Sequence, residues 1–359
     1  LLDLYGFELM PNTNRFFGNL GVKFTNIYAQ SEWTLPSVAG IFTGLYTNEH
    51  FIYHPRRKYE IPFYTLPEHL SRFGYQTSCI TSMPRMSPTQ GYSKGFDRYV
   101  YAPYYKSNYV LNEVYEQLQS FNGKQYIFLG IFDFHEVDKL QSISTQSLSN
   151  IFESKPTKKT RISEKSSKVA PFYDTKRIDN LKNSIINLDK KLSTLYENID
   201  NYDKNAVVVL HSDHGVSYMT KSNQILSKEK SKVVLLYKNN KSPKIISDTR
   251  EIRELPSIIC KDLNNVSNFE FKPSPYAITE SLYPNSDYEI AVRSKEYVLF
   301  QKIRWKDLIK GIYLPYKISF HKIDDEIKKV DKSGEKYLKM QAFAKKHSMI
   351  LLKGLRAHL

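Results

Sequence analysis

The sequence predicts an α/β fold: a mostly parallel central sheet with helices on both faces, plus a small antiparallel C-terminal subdomain. Three observations carry this reading. Residues 126–132 and 206–211 are continuous apolar runs, as expected of parallel strands covered on both faces. Segments of helical spacing alternate with such runs in βαβα order. Past residue 289 the pattern changes to short alternating strands rich in aromatics. At 359 residues, 41% hydrophobic and 14% aromatic, the chain can build one large core with a small appendage.

In chain order, residues 24–28 read as a strand. Residues 37–45 begin as a small-residue helix with no internal breaker before Gly44. Residues 66–73 are a short amphipathic helix, closed by Gly74 where a left-handed C-cap is cheapest. Residues 76–81 form a buried strand. The apolar run at 126–132 is followed by residues 139–170, rich in Ser, Lys and Thr, which read as a flexible basic insertion. Its Lys155, Lys158, Lys159 and Arg161 suit a solvated tether better than a binding site. Residues 176–199 have helical spacing and lead into the second central strand, and 232–237 form another. Strands follow at 288–293, 297–303 and 310–316. Residues 335–357 make a basic amphipathic helix. Membrane-surface contact is one reading of it and packing on the subdomain the preferred one. The division is a core over 1–288 and a subdomain over 289–359.

Lys and Arg total 52 against 37 Asp and Glu, a net charge of +15. Such a balance attracts polyanions: nucleic acid, acidic glycans, teichoic-type polymers or an anionic membrane. A Lys-rich proteome produces the same surface, and no nucleic-acid-binding signature is present, so no nucleic-acid partner is expected. Cys79 and Cys260 lie in apolar runs and read as small buried hydrophobes. No apolar run approaches the ~18 residues of a membrane span. No signal peptide is visible, and the chain begins at Leu1, so an upstream signal or anchor stays open.

Three predicted strand ends carry chemistry. Thr34 follows the first strand and precedes a helix, in Trp33-Thr34-Leu35-Pro36-Ser37. A hydroxyl there is a candidate nucleophile if a metal activates it, beside helix amides that favour an oxyanion. The alternative is that Thr34 and Ser37 only cap the helix. Asp213 and His214 follow the 206–211 strand in Ser212-Asp213-His214-Gly215. A carboxylate and an imidazole there are a plausible hard-metal pair, though Asp and Gly are also turn formers. His135 follows the 126–132 strand and could bind a phosphoryl oxygen or protonate a leaving group.

The ordered series of motifs resembles the sulfatase-like branch of the alkaline phosphatase superfamily. Met10-Pro11-Asn12-Thr13-Asn14-Arg15-Phe16 resembles its "TPNLDRLA" segment. Gly21-Val22-Lys23-Phe24-Thr25-Asn26 resembles "GVRFTN". Thr43-Gly44-Leu45-Tyr46 with His50 is similar to its "TGLYPxxHG" tail. Thr65-Leu66-Pro67-Glu68, Gly95-Phe96-Asp97, residues 128–135 and residues 209–215 continue the series. The resemblance covers roughly residues 5–135 and 173–300. It implies Thr34 as nucleophile, Asp213, His214 and Thr34 as ligands of one divalent ion (Mg, Mn, Ca or Zn), and His135 as a catalytic, substrate-binding histidine. Lys221 takes the place of the lysine that binds sulfate in sulfatases.

Where sulfatases carry Cys-x-Pro-x-Arg, this chain reads Thr34-Leu35-Pro36-Ser37-Val38. The cysteine and arginine are absent, so formylglycine is not expected. A Thr nucleophile is similar to that of lipoteichoic acid synthases, phosphoethanolamine transferases and nucleotide pyrophosphatases. The implied function is metal-dependent hydrolysis or transfer of a phosphodiester on an anionic small-molecule, glycan or lipid-linked substrate. An extracytoplasmic or membrane-associated face of a bacterial cell suits it. The rivals are a sulfuric ester hydrolase lacking formylglycine and an inactive sulfatase-like binding domain. The family's first metal carboxylate precedes the "YG" that Tyr5-Gly6 resembles, so it is expected upstream of Leu1. Asp3 aligns with the loop that follows. Two further departures are Phe51, where Gly is usual, and the lack of a second His over 216–233.

Overall fold

The structure, a computed structural model, describes residues 6–18, 21–134, 174–216, 219–220, 224–239, 243–326 and 328–358. The insertion expected over 139–170 lies outside them, as do Asp3, His135 and Lys221.

Helix α1 (Pro11–Gly18) leads into β1 (Gly21–Phe24) and β2 (Ile27–Tyr28). The single strand expected over 24–28 is thus two. The chain changes neighbours at Thr25 and Asn26, where Thr25 N–H donates to Ile246 O at 2.9 Å and Asn26 Nδ2 to Thr249 Oγ1 at 2.9 Å. There follow α2 (Thr34–Thr43), α3 (Thr47–His50), α4 (Leu66–Ser71), β3 (Gln76–Thr81), β4 (Arg98–Tyr101), α5 (Ser107–Ser120) and β5 (Gln125–Gly130). After α6 (Thr175–Tyr202) come β6 (Val208–His211), α7 (Lys228–Ser231), β7 (Leu235–Lys238), β8 (Lys244–Ile246), β9 (Arg250–Glu251) and α8 (Leu255–Asp262). The C-terminal part holds β10 (Ala277–Ser281), β11 (Tyr288–Arg293), β12 (Tyr297–Ile303), α9 (Trp305–Leu308), β13 (Pro315–Lys322) and α10 (Glu335–His358).

Two strand groups form the central layer. β4-β3-β5 is wholly parallel, and β6-β7-β1-β8 has β7 antiparallel to both neighbours. Both groups feed the same two cores. Phe24, Cys79, Phe128, Leu235 and Tyr237 face α2, α4 and α8. Ile80 and Leu236 face α1, α5 and α6. Alternation follows the strand period of two, so one face of the layer serves each core. Among the described residues β5 and β6 each have one unpaired edge. Phe128 and His211 meet between them with ring centroids 6.0 Å apart. All of β6 is half-buried, while β7 beside it is fully buried. Among the described residues the layer is therefore open between β5 and β6.

Several motif residues fix this layer. Asp189 of α6 is buried and accepts from Asn12 N–H (3.0 Å), Thr13 N–H (2.9 Å) and Thr13 Oγ1 (2.7 Å), satisfying the first amides of α1. Thr65 and Glu68 close a capping box on α4. Asp97 accepts from Thr77 N–H at 2.8 Å. Gly44 ends α2 in the left-handed region, and its carbonyl accepts from buried Arg253 at 2.8 Å. Arg253 in turn pairs with Glu251 at 2.9 Å and lies over the Tyr46 ring. Cys79 and Cys260 are free and buried.

The antiparallel sheet β10-β11-β12-β13 starts at Ala277, upstream of the boundary expected at residue 289. The strand expected over 310–316 is instead the turn after α9. Gly311 is left-handed there and Ile312 N–H donates to Asp307 O at 2.8 Å, so β13 begins only at Pro315. Helix α10 buries Tyr337, Met340, Ala344, Leu351, Leu352 and Leu355 against this sheet. No described helix is long and apolar enough to cross a membrane. β10 also grips the core: Thr279 Oγ1 donates to Ala29 O and Glu280 N–H to Gln30 O, each at 2.8 Å. The subdomain thus holds the segment that leads into α2.

Candidate functional site

Thr34 opens α2. The N-cap residue is Trp33, in extended backbone and with no side-chain cap, so the capping role expected as the alternative for Thr34 and Ser37 is not what they do. An uncapped N-terminus leaves its first amides available to an anion. Leu35, Val38, Ile41 and Phe42 bury the other side of the helix and set its position. The Tyr92 hydroxyl donates to Leu35 O and braces the first turn from below.

Asp213 and His214 leave the end of β6 and meet Thr34. His214 Nε2 lies 3.3 Å from Thr34 Oγ1 and 3.6 Å from Asp213 Oδ2. His214 Nδ1 lies 2.7 Å from the Gly215 carbonyl. A carbonyl can only accept, so Nδ1 carries a proton, and Nε2 faces Thr34. Ser37, one turn into α2, donates from Oγ to Asp213 O at 2.5 Å and pins the β6 loop to the helix. His214 N–H donates to Asp213 Oδ1 at 3.0 Å. Asp213 Oδ2 is buried with no hydrogen-bond partner. Burial pushes the Asp213 carboxyl up, but His214, the Thr34 hydroxyl and His211 outweigh it and hold it below the usual carboxylate value.

The orphaned Asp213 oxygen, the His214 imidazole and the Thr34 hydroxyl lie together. This donor set fits one side of a hard divalent ion. Among the described residues no third His, Cys, Asp or Glu completes a cluster.

Four residues beside the site carry no motif signal. His211, at the end of β6, is held neutral by burial, against the pull of Asp213. Trp33 and Tyr283 form a rim, with ring centroids 5.3 Å apart. Glu32 accepts from Ser31 Oγ at 2.9 Å and Ser281 Oγ at 2.6 Å. Of the residues predicted from sequence, the structure brings together Thr34, Asp213 and His214; His135 and Lys221 lie outside the described residues.

The sulfatase family model matches residues 2–244. No curated protein matches the sequence. Similar solved structures include a protein in complex with its substrate D-glucosamine-2-N,6-O-disulfate, at TM-score 0.67 and 12% identity, covering 97% of this chain and 94% of that one. The phosphonate monoester hydrolase of Agrobacterium radiobacter matches at 0.63 and 13%, covering 97% and 91%. The lipoteichoic acid synthase LtaP of Listeria monocytogenes matches at 0.59 and 13%, covering 99% and 87%. At such identities these neighbours establish the fold alone. The family match spans well over half of the chain and includes Thr34 and the Asp213-His214 turn, so the chain belongs to the sulfatase family.

Proposed function

We propose that this protein hydrolyses or transfers a phosphodiester through Thr34, with Asp213, His214 and Thr34 as ligands of one divalent ion. The observation that carries the reading is the 3.3 Å approach of Thr34 Oγ1 to His214 Nε2 at an uncapped helix N-terminus. Threonine stands where a formylglycine sulfatase has cysteine or serine, and both cysteines are buried elsewhere. A bound Mg, Mn, Ca or Zn ion would supply charge neutralisation on the transferring group.

The chain's own residues do the rest. Thr34 Oγ1 gives its proton to water and attacks phosphorus in line with the leaving oxygen, which departs with the P–O electron pair, leaving a phospho-Thr34 ester. The amides at the start of α2 receive negative charge on the non-bridging oxygens. His135 donates to those oxygens or to the leaving alcohol, and Lys221 adds a cation. Water or an acceptor alcohol then takes the group from Thr34. A further carboxylate ligand completes the set in this reading, and among the described residues the unpaired edges of β5 and β6 leave a place for a strand carrying it. The net charge of +15 suits an anionic glycan or lipid-linked substrate, at an extracytoplasmic or membrane-associated face.

The neighbour bound to a disulfated glucosamine supports a second reading, hydrolysis of a sulfate ester by the same Thr34. Mass spectrometry of the full encoded chain, incubated with Mg²⁺ or Mn²⁺ and bis-p-nitrophenyl phosphate, separates the two. The expected result is a phosphoryl adduct on Thr34. Thr34→Ala should abolish the adduct and lower turnover at least about 10³-fold. Turnover of aryl sulfates without phosphodiester turnover would establish the second reading instead.

A further inference from the structure

Lys230 belongs to no motif singled out in the sequence, yet the fold carries it to the Thr34 site. α7 lies against the Asp213-His214-Gly215 turn: Gly215 N–H donates to Lys230 O at 2.9 Å and Val216 N–H to Glu229 O at 3.2 Å. The approach is so close that a Cβ on Gly215 would sit 1.9 Å from Glu229 O. Only glycine lets the two backbones meet there.

The Lys230 side chain is half-buried and lies within electrostatic reach of Asp213 and Glu32. Burial pushes its ammonium down, and those two carboxylates only partly restore it. Other shielded lysines are paired directly, Lys238 with Asp200 at 3.0 Å and Lys302 with Glu289. Lys230 makes no such ion pair or side-chain hydrogen bond among the described residues. Glu32 cannot swing to it freely, because Ser31 and Ser281 hold one carboxylate oxygen each. The half-buried ammonium lies beside the turn that carries Asp213 and His214 and forms no ion pair with Asp213 or Glu32 among the described residues. A tetrahedral anion at Thr34 supplies the missing partner.

We propose that Lys230 is a substrate-contacting residue that binds a non-bridging oxygen of the ester at Thr34. This rests on the Thr34 reading above. As Thr34 loses its hydroxyl proton to water and its Oγ1 bonds to the central atom, the bond to the leaving oxygen breaks and that oxygen takes the electron pair. Lys230 keeps its proton throughout, so its contribution is charge and not acid catalysis.

The test uses inorganic phosphate binding and bis-p-nitrophenyl phosphate turnover in Mg²⁺. The chain has two tryptophans, Trp33 beside the nucleophile and Trp305. In a Trp305→Phe background, Trp33 fluorescence reports phosphate without any turnover. Lys230→Met should weaken phosphate binding at least about 10-fold and lower kcat/KM about 100-fold, with Lys230→Arg recovering most of both. The melting temperature should not move; if Lys230→Met fails to fold, Lys230→Gln takes its place. Phosphate binding and turnover within about threefold of wild type in Lys230→Met would overturn the proposal and leave the Thr34 reading standing. Wild-type protein that neither binds phosphate nor turns over the ester would overturn both.

Discussion

His50 shows how a single residue ties the nucleophile helix to pH. It is 3% exposed, and its Nδ1 accepts from Ile52 N–H at 3.0 Å. The proton of the neutral ring therefore sits on Nε2, beside the Pro36 carbonyl of α2. Burial pushes its pKa down to about 4, against the pull of Glu280 and that carbonyl. The folded state thus binds fewer protons than the unfolded chain between pH 4 and 6.5. Stability from this group is present above 6.5 and is lost as pH falls toward 4, on the order of 3 kcal/mol in all. Thermal melts across that window should show the loss in wild type and a shallower slope in His50→Gln. The residues of the site differ in how legible they were. Thr34, Asp213 and His214 sit at strand ends, where sequence pattern places ligands of α/β sheets, so their meeting could be expected. Lys230 and Glu32 could not be, because nothing local marks them. They reach the site through the packing of α7 and β10 on a turn distant in sequence.

At the scale of elements, α2 and β6 make separate, checkable demands. Gly44 ends α2 at φ 72°, and the nearest atoms to a Cβ there are 3.6 Å away or more. Space is therefore not the constraint, and the left-handed backbone is. Gly44→Ala should cost about 1 kcal/mol in chemical denaturation, without changing KM. On β6, Ser212 N–H donates toward β7, to Val234 O at 3.2 Å. Strand alternation then turns the amides of Val208 and Leu210 toward β7, and those of Val209 and His211 toward the open edge. If that edge is unpaired in solution, hydrogen exchange at Val209 and His211 should outpace that at Val208 and Leu210. In a chain carrying an upstream strand that pairs with β6, all four should be protected. Sequence pattern located β3, β11 and β12 to the residue, because each is a compact apolar or aromatic run with sharp ends. It merged β1 with β2, since the break at Thr25 and Asn26 is a change of partners and not of composition. It missed the turn over 309–314, where the exposed Ile309, Ile312 and Leu314 imitate a strand without being buried as one.

At the scale of the molecule, the core and the antiparallel sheet act on one site. β10 holds residues 29–32 ahead of the nucleophile, and Asn48 Nδ2 donates to His347 O of α10 at 3.0 Å. Both parts also lie under one field, since the net charge is +15. That field acts on substrates according to their length. A small phosphodiester carries one charge and meets only the groups around Thr34, which are shielded from salt by burial. A polyanionic glycan or lipid-linked polymer also meets surface lysines far from the nucleophile, and solvent ions screen those. Raising ionic strength from about 0.1 to 1 M shortens the screening length from about 10 to 3 Å. KM for a polyanionic substrate should then rise at least about tenfold, while KM for bis-p-nitrophenyl phosphate should change less than about twofold. Equal salt sensitivity for the two would mean that the excess charge does not face the substrate path. The polymer reading would then lose its physical basis, although Thr34 could still act on a small ester.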